Sequence, residues 1–317
     1  MPRTTASQRA RRLACLRGLR FIHLHSLDQE NFEDWAGDYL WCFYCLSSTS
    51  RDAGLRALAR ELGAQGARRW MASQDALPGL ADAGEVAYYV SLLHVSRLLG
   101  ADNPRLSHHV RQGIPRFTAR AYLGFDPMRE PPPPLPGRSR YDVWCDALVL
   151  TYTGEGFGAP LGAAYVDVLR WRRQMRPYRG AEGGANPEFR DVVFAITHLI
   201  YTLNDYGRYR LSPEWLPEEF EFLRSNITDP LVAGDAELLG EFMDSLRCLG
   251  VAESDAALSG GMEFLLSSQN PDGSWGDAGE SDPHARYHTT WTAMDALREY
   301  DWRERADWPE SVRRWLD

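Results

Sequence analysis

The 317-residue chain carries 35 basic and 44 acidic residues, a net charge of −9, with 44% hydrophobic and 25% charged residues. That much apolar material supplies a sizeable core and excludes global disorder, while a net acidic chain argues against nucleic acid as the main partner, because phosphate neutralisation needs a basic face. All 35 basic residues are arginine, which excludes a pyridoxal-phosphate anchor, other Schiff-base lysine chemistry and a P-loop lysine.

Residues 1–30 read as an N-terminal arm or extra helix. Arg3, Arg9, Arg11, Arg12, Arg17 and Arg20 occur there with no acid in the first twenty positions, and His23 and His25 break the apolar stretch that a secretory signal needs. From there, apolar segments at 35–47, 86–99, 141–153, 192–206, 237–249 and 287–300 alternate with amphipathic ones at 53–74, 104–122, 161–177, 213–225, 255–268 and 308–316. A helix apolar all round is buried, and one with a charged face sits outside. The apolar segments recur roughly every 45 to 56 residues, a repeat-like period. Six inner helices alternating with six outer ones predict an all-α fold, an (α/α)6 barrel or toroid, spanning 1–317 as one domain. The proline run at 130–137 and the glycine-rich loop at 179–187 are then excursions from that barrel. No apolar run reaches ~18 residues, so no membrane-spanning helix is expected. Five scattered cysteines (Cys15, Cys42, Cys45, Cys145 and Cys248) suggest buried, reduced thiols and a cytoplasmic protein.

One segment carries a recognisable motif. Gly261, Leu265, Gln269, Gly273 and Trp275 fit the spacing G-x3-L-x3-Q-x3-G-x-W, with degenerate copies ending at Gln74 and Asn226. The pattern resembles the QW repeat of the terpenoid cyclase and protein prenyltransferase superfamily, whose fold is an α/α toroid and whose glutamine and tryptophan are structural. Tyr287-His288-Thr289-Thr290-Trp291 is also similar to the segment of prenyltransferase β subunits in which the histidine binds zinc. The resemblance implies a hydrophobic, terpenoid-like substrate in a central cavity and leaves room for a partner subunit. The chain holds neither the DxDD cluster of protonating triterpene cyclases nor an Asp-rich diphosphate–metal motif, so the resemblance speaks for the fold more than for either reaction.

Gly100, Gly154, Gly207 and Gly250 read as equivalent helix stops. Aligning the repeats on them brings Ser91, Cys145, His198 and Glu241 to one level, with Asp142 and His288 a turn nearer the helix starts. Residues three or four apart share a helix face, so Asp142, His198, Glu241 and His288 are candidate acid/base groups. Tyr44, Tyr88, Trp144, Cys145, Tyr152 and Trp291 are candidate substrate contacts. His198, Glu241, His284 and His288 form a candidate metal set for one divalent ion, zinc or iron, His284 and His288 having the i, i+4 spacing of a helical metal site. A lone buried histidine is as often a satisfied core residue, and burying several ionisable groups together is costly unless they pair or bind something. The three glycines at 154–158 follow a helix, which fails the dinucleotide fingerprint. These features predict an enzyme of small-molecule, secondary metabolism using acid/base chemistry; the alternative is a non-catalytic toroid that binds a lipid or a partner protein.

Overall fold

The computed structural model describes residues 6–74, 76–304 and 312, and it is all-helical. The helices are α1 (Ala6–Leu27), α2 (Gln29–Thr49), α3 (Ala53–Ala72), α4 (Ala83–Leu98), α5 (Pro104–Gly113), α6 (Ala119–Leu123), α7 (Arg140–Phe157), α8 (Tyr165–Leu169), α9 (Phe189–Leu203), α10 (Pro217–Asn226), α11 (Thr228–Ala233), α12 (Ala236–Cys248), α13 (Ala256–Ser268) and α14 (Pro283–Leu297). Among the described residues the only paired strands are Tyr209–Arg210 and Arg303–Glu304, two residues each. No described helix is long and apolar enough to cross a membrane. All five cysteines are free and buried.

The apolar segments read from the sequence all fall on helices (α2, α4, α7, α9, α12 and α14). Three of the amphipathic ones do not form single helices; the 213–225 segment divides into a 3-10 turn at Pro213–Trp215 and α10, with Leu216 non-helical between them. The 104–122 segment breaks into α5, a 3-10 turn at Ile114–Arg116 and α6, because Pro115 cannot continue the hydrogen-bond ladder. The 161–177 segment keeps only α8 and a 3-10 turn, its start occupied by Gly162 at φ +77°. The helix expected at 308–316 lies outside the described residues except for Val312. One stop signal also differs: Gly100, Gly207 and Gly250 have the positive φ of helix ends, but Gly154 is inside α7, which ends at Gly158 with φ +84°. Counting from Gly158 puts Val149, not Cys145, at the level of His198 and Glu241.

Contacts gather the chain into two compact units, residues through Gly63 with Asn204–Glu304, and Ala64–Leu203. In the second, α7 packs against α4, α6, α8 and α9. In the first, α14 packs against α1, α2, α12 and α13, with α10 and α11 on α12. α12 is buried along its whole length except at Glu237. Asp235 caps its start by accepting from the Glu237 and Leu238 amides at 3.1 and 3.0 Å. Gly240 lets α12 approach α14 closely, since a Cβ there would lie 2.6 Å from the Thr292 carbonyl carbon.

The Gly261–Trp275 segment ties α13 to α1. The Gln269 amide donates to the Ala14 and Gly273 carbonyls, both at 2.9 Å, and the Trp275 indole donates to the Leu265 carbonyl at 2.7 Å. Gly273, at φ +97°, leaves no room for a side chain beside the Arg17 carbonyl. Neither degenerate copy makes an equivalent bridge: Gln74 donates to Ser73, and Asn226 back to Phe222.

Trp275 is 1% exposed. Trp275→Ala should therefore cost about 3 kcal/mol in chemical denaturation while leaving the helical circular-dichroism spectrum intact; a loss under about 1 kcal/mol would show that the tryptophan does not anchor α13 to α1.

Candidate functional site

α14 presents one polar, partly open face. From Tyr287 to Arg298 every residue is buried except His288, Trp291 and Asp295, which with His284 follow the i, i+4, i+7, i+11 spacing of a single helix face. The face begins at a well-formed N-terminus, where Asp282 accepts from the His284 amide at 2.9 Å and Pro283 fills the first helical position.

His288 donates from Nδ1 to Glu237 Oε1 of α12 at 2.7 Å. Burial opposes its charged form, but the Glu237 hydrogen bond and the charges of Glu237, Glu241 and Asp38 outweigh that, and its pKa is raised. His284 stacks on His288 with ring centroids 5.1 Å apart and planes 15° from parallel. Its pKa moves the other way, lowered by burial and then by the His288 charge. Trp35 of α2 lies 4.7 Å from the His284 ring and Trp291 lies 6.2 Å from the His288 ring. Beneath them Tyr287 donates to Asp38 and packs on Tyr39, which hydrogen-bonds His25 at 2.8 Å. Burial, then the Asp38 charge, holds the Tyr287 phenol far above its ordinary pKa, so it is a donor at every physiological pH.

Deeper along α12, Glu241 is 2% exposed and its Oε2 has no hydrogen-bond partner. Its charge is felt at both His288 and Asp295, which places it in the α12–α14 seam. One turn on, Asp244 is pushed up to about 7 by burial and by the Asp295 charge, against the pull of Arg298. Asp295 is raised as well, chiefly by burial. The Tyr300 hydroxyl lies close enough to act on Asp244 but makes no hydrogen bond of good geometry. Arg298 donates to Asp295 and Thr49 at 2.7 and 2.6 Å. Burial thus raises both carboxyls around the one guanidinium, Arg298, whose charge opposes the shift.

The remaining expected residues divide by unit. Glu241, His284, His288, Trp291 and Tyr44 belong to the first; Tyr44 accepts from Arg208 at 2.6 Å. Asp142, Cys145, His198, Tyr88, Trp144 and Tyr152 belong to the second. There the His198 Nδ1 donates to the Phe194 carbonyl at 2.9 Å, leaving Nε2 as the free nitrogen. One guanidinium, Arg138, holds both Asp142 and Asp146, and Asp146 is raised by burial with Arg138 opposing. Trp144 is fully buried and donates to the Val168 carbonyl at 3.2 Å, a core role. Cys145 Sγ lies 3.7 Å from the Phe194 carbonyl, Tyr152 meets the Tyr165 ring edge-on and Tyr88 is exposed.

Asp38, Glu237, Tyr287, Asp244 and Asp295 enter the first unit's site from the structure. Their signal was present as the spacing Glu237, Glu241, Asp244 facing His284, His288, Trp291, Asp295, but only the contact of α12 with α14 gives it meaning. Among the described residues no three His, Cys, Asp or Glu side chains converge as metal ligands. A cavity of about 380 Å³ also opens in this unit beside Arg11, Arg12, Arg51 and Arg298. Three of these guanidiniums are engaged, by Glu253, Asp52 and Asp295 respectively.

No family model, curated protein or solved structure matches this chain.

The raised carboxyl has a stability consequence. A group whose folded pKa exceeds its unfolded value of 3.8 contributes stability that is full below that value and is lost as pH rises through about 7. Asp244→Asn removes this dependence, so the variant should melt above wild type at pH ~8 and the gap should narrow toward pH ~4. A variant that melts below wild type at alkaline pH would show Asp244 to be ionised and well paired.

Proposed function

We propose that the protein is an enzyme that moves protons on a small, largely apolar substrate held against the α14 face of the first unit. The observation that carries this reading is the stacked pair His284 and His288, whose surroundings push their pKa values apart. Neighbouring titratable groups driven in opposite directions are the signature of an acid and a base prepared for one reaction. His288, whose charged form the Glu237 hydrogen bond favours, is the acid; His284, whose neutral form burial favours, is the base. Glu241 lies in the seam beside the acid, and Trp35 and Trp291 provide the apolar and aromatic contact that a hydrophobic skeleton needs. The motif at Gly261–Trp275 supports the toroid and a terpenoid-like substrate, with His198 and Asp142 as a further acid/base pair on the inner helices of the second unit. No step here runs through a metal. A second reading, a toroid that docks a partner subunit, is favoured by the exposed Leu13, Leu24 and Leu27 of α1, which are 59%, 66% and 54% exposed.

Histidine NMR titration checks the acid and base directly: His288 should titrate above an ordinary histidine, His284 below it, and Glu237→Gln should lower His288. Incubating the protein with a mixed small-molecule extract and following it by mass spectrometry checks the chemistry. Wild type should deplete a component that His288→Ala, confirmed folded by circular dichroism, leaves untouched. Ordinary titration of both histidines, or equal depletion by the variant, would contradict the assignment.

A further inference from the structure

α1 carries an outward stripe that the other described residues of its unit leave uncovered. The helix packs inward through Ala14, Cys15, Gly18, Leu19 and Ile22, mainly against α14 and α2. On the opposite side Arg9, Leu13, Leu16, Arg20, Leu24 and Leu27 follow one another at intervals of three or four residues, the spacing of a single helix face. Leu13, Leu24 and Leu27 are 59%, 66% and 54% exposed, and Leu16 is half-buried. Scattered exposed leucines need no explanation, but a row of them along one face marks a surface that meets something.

The two ends of the stripe carry opposite charge. α1 holds Arg9, Arg11, Arg12, Arg17 and Arg20 and no acid. Arg11 turns inward to Glu253, while Arg9, Arg12 and Arg20 are exposed, Arg12 bonding Asp52 through Nε alone. Directly after Leu27 come Asp28, Glu30, Glu33 and Asp34, all exposed at the turn into α2 and along its start. A lipid surface of one charge sign would repel one end or the other, and so would a uniformly acidic or basic partner. A surface that is basic at one end, apolar along its length and acidic at the other is complementary to itself turned end for end, the arrangement of an isologous two-fold interface. Arg20 then lies near the axis, where its methylene stem covers leucine and its charged head reaches water.

We propose that α1 docks on α1 of a second copy of this chain, antiparallel, with the leucines of the two helices packed together and the Arg9–Arg12 end of one copy beside the Asp28–Glu30 end of the other. This rests on the docking reading of the α1 leucines, whose partner it names, and needs nothing from the chemistry on α14. A helix of 22 residues is about 33 Å long. One such pair is a small interface, so the dimer is reversible and micromolar rather than obligate.

Sedimentation equilibrium of the full chain tests it. The mass should rise from that of one chain toward that of two as concentration passes through the micromolar range, and added salt should weaken the association by screening its ends. Leu24→Glu, at an exposed position, should weaken it about tenfold or more by burying a charge among the leucines. Arg9→Glu should weaken it as well, and combining Arg9→Glu with Glu30→Arg should restore it, because each swapped end then meets the opposite charge on the other copy. Circular dichroism checks that each variant is folded, and the wild-type concentration series stands without any variant. A chain that stays monomeric at millimolar concentration would overturn the proposal while leaving the leucines to a different partner; flotation of that monomer with phosphatidylserine vesicles would give the stripe to a lipid surface instead. A dimer unmoved by Leu24→Glu would put the interface elsewhere and remove the docking reading with it. A dimer weakened by Leu24→Glu but not rescued by the charge swap would overturn the end-for-end arrangement.

Discussion

Two buried guanidiniums hold the C-terminal end of α14, and the site depends on them. The last carbonyls of any helix lack intrahelical partners. Here Arg11 of α1 donates to the Leu297 carbonyl at 2.6 Å, and Arg247 of α12 donates to the Ala296 and Arg298 carbonyls at 2.7 and 2.8 Å. Both arginines also bind Glu253, Arg11 in the bidentate manner that fixes geometry as well as charge. Three parts of the chain far apart in sequence therefore meet at one helix end. With Gly240 allowing α12 to lie close to α14, the register between Glu237 and His288, and between Glu241 and Asp295, is set. The two guanidiniums are buried while Glu253 is exposed, so the pairs add little net stability, but removing Glu253 would leave both buried cations without their carboxylate. Their value here is positional.

What that position holds is a line of acids in a poorly hydrated seam. Ordinary cores avoid such an arrangement, because each unpaired charge costs several kcal/mol. The fold resolves part of the tension locally: Asp38 accepts from Tyr287, Asp295 accepts from Arg298, and burial raises the pKa of Asp244 to about 7. The part left over is concentrated at Glu241 and at the opposed histidines. Perturbed titratable groups and unpartnered buried oxygens, Glu241 Oε2 and Asp244 Oδ1, gathered in one seam are characteristic of sites prepared for a ligand or a reaction. In the second unit, Asp142 and Asp146 share Arg138, and His198 hydrogen-bonds the Phe194 carbonyl of its own helix.

The helical class was legible because burial writes itself into apolar periodicity, as at 192–206 and 237–249. The structural role of Gln269 and Trp275 was expected from the resemblance to the QW repeat, and the structure supplies its physical reason, a long amide reach to the Ala14 carbonyl and a close backbone approach at Gly273. His284, His288 and Glu241 were visible as polar residues on apolar helices. Their partners were not. Asp38, Asp244 and Asp295 look like ordinary polar positions until α2, α12 and α14 are brought together, and Glu237 acquires its role only from a hydrogen bond across 51 positions of sequence. The misplacement of Gly154 has the same origin. Inside α7 it packs against the backbone near Leu161, a tertiary reason for glycine that a helix-end pattern cannot distinguish from a stop.

The most direct test of this account follows the aspartate and glutamate side-chain carboxyl carbons by NMR as pH is varied. The account requires that aspartate carboxyl signals from the α12–α14 seam remain protonated at pH values where every surface carboxylate has ionised, and that Asp244 titrate near neutrality with Asp295 responding to it. If all aspartates instead ionise below about pH 5, as unperturbed ones do, the seam is solvated and balanced, and neither the strained site nor the function built on it survives.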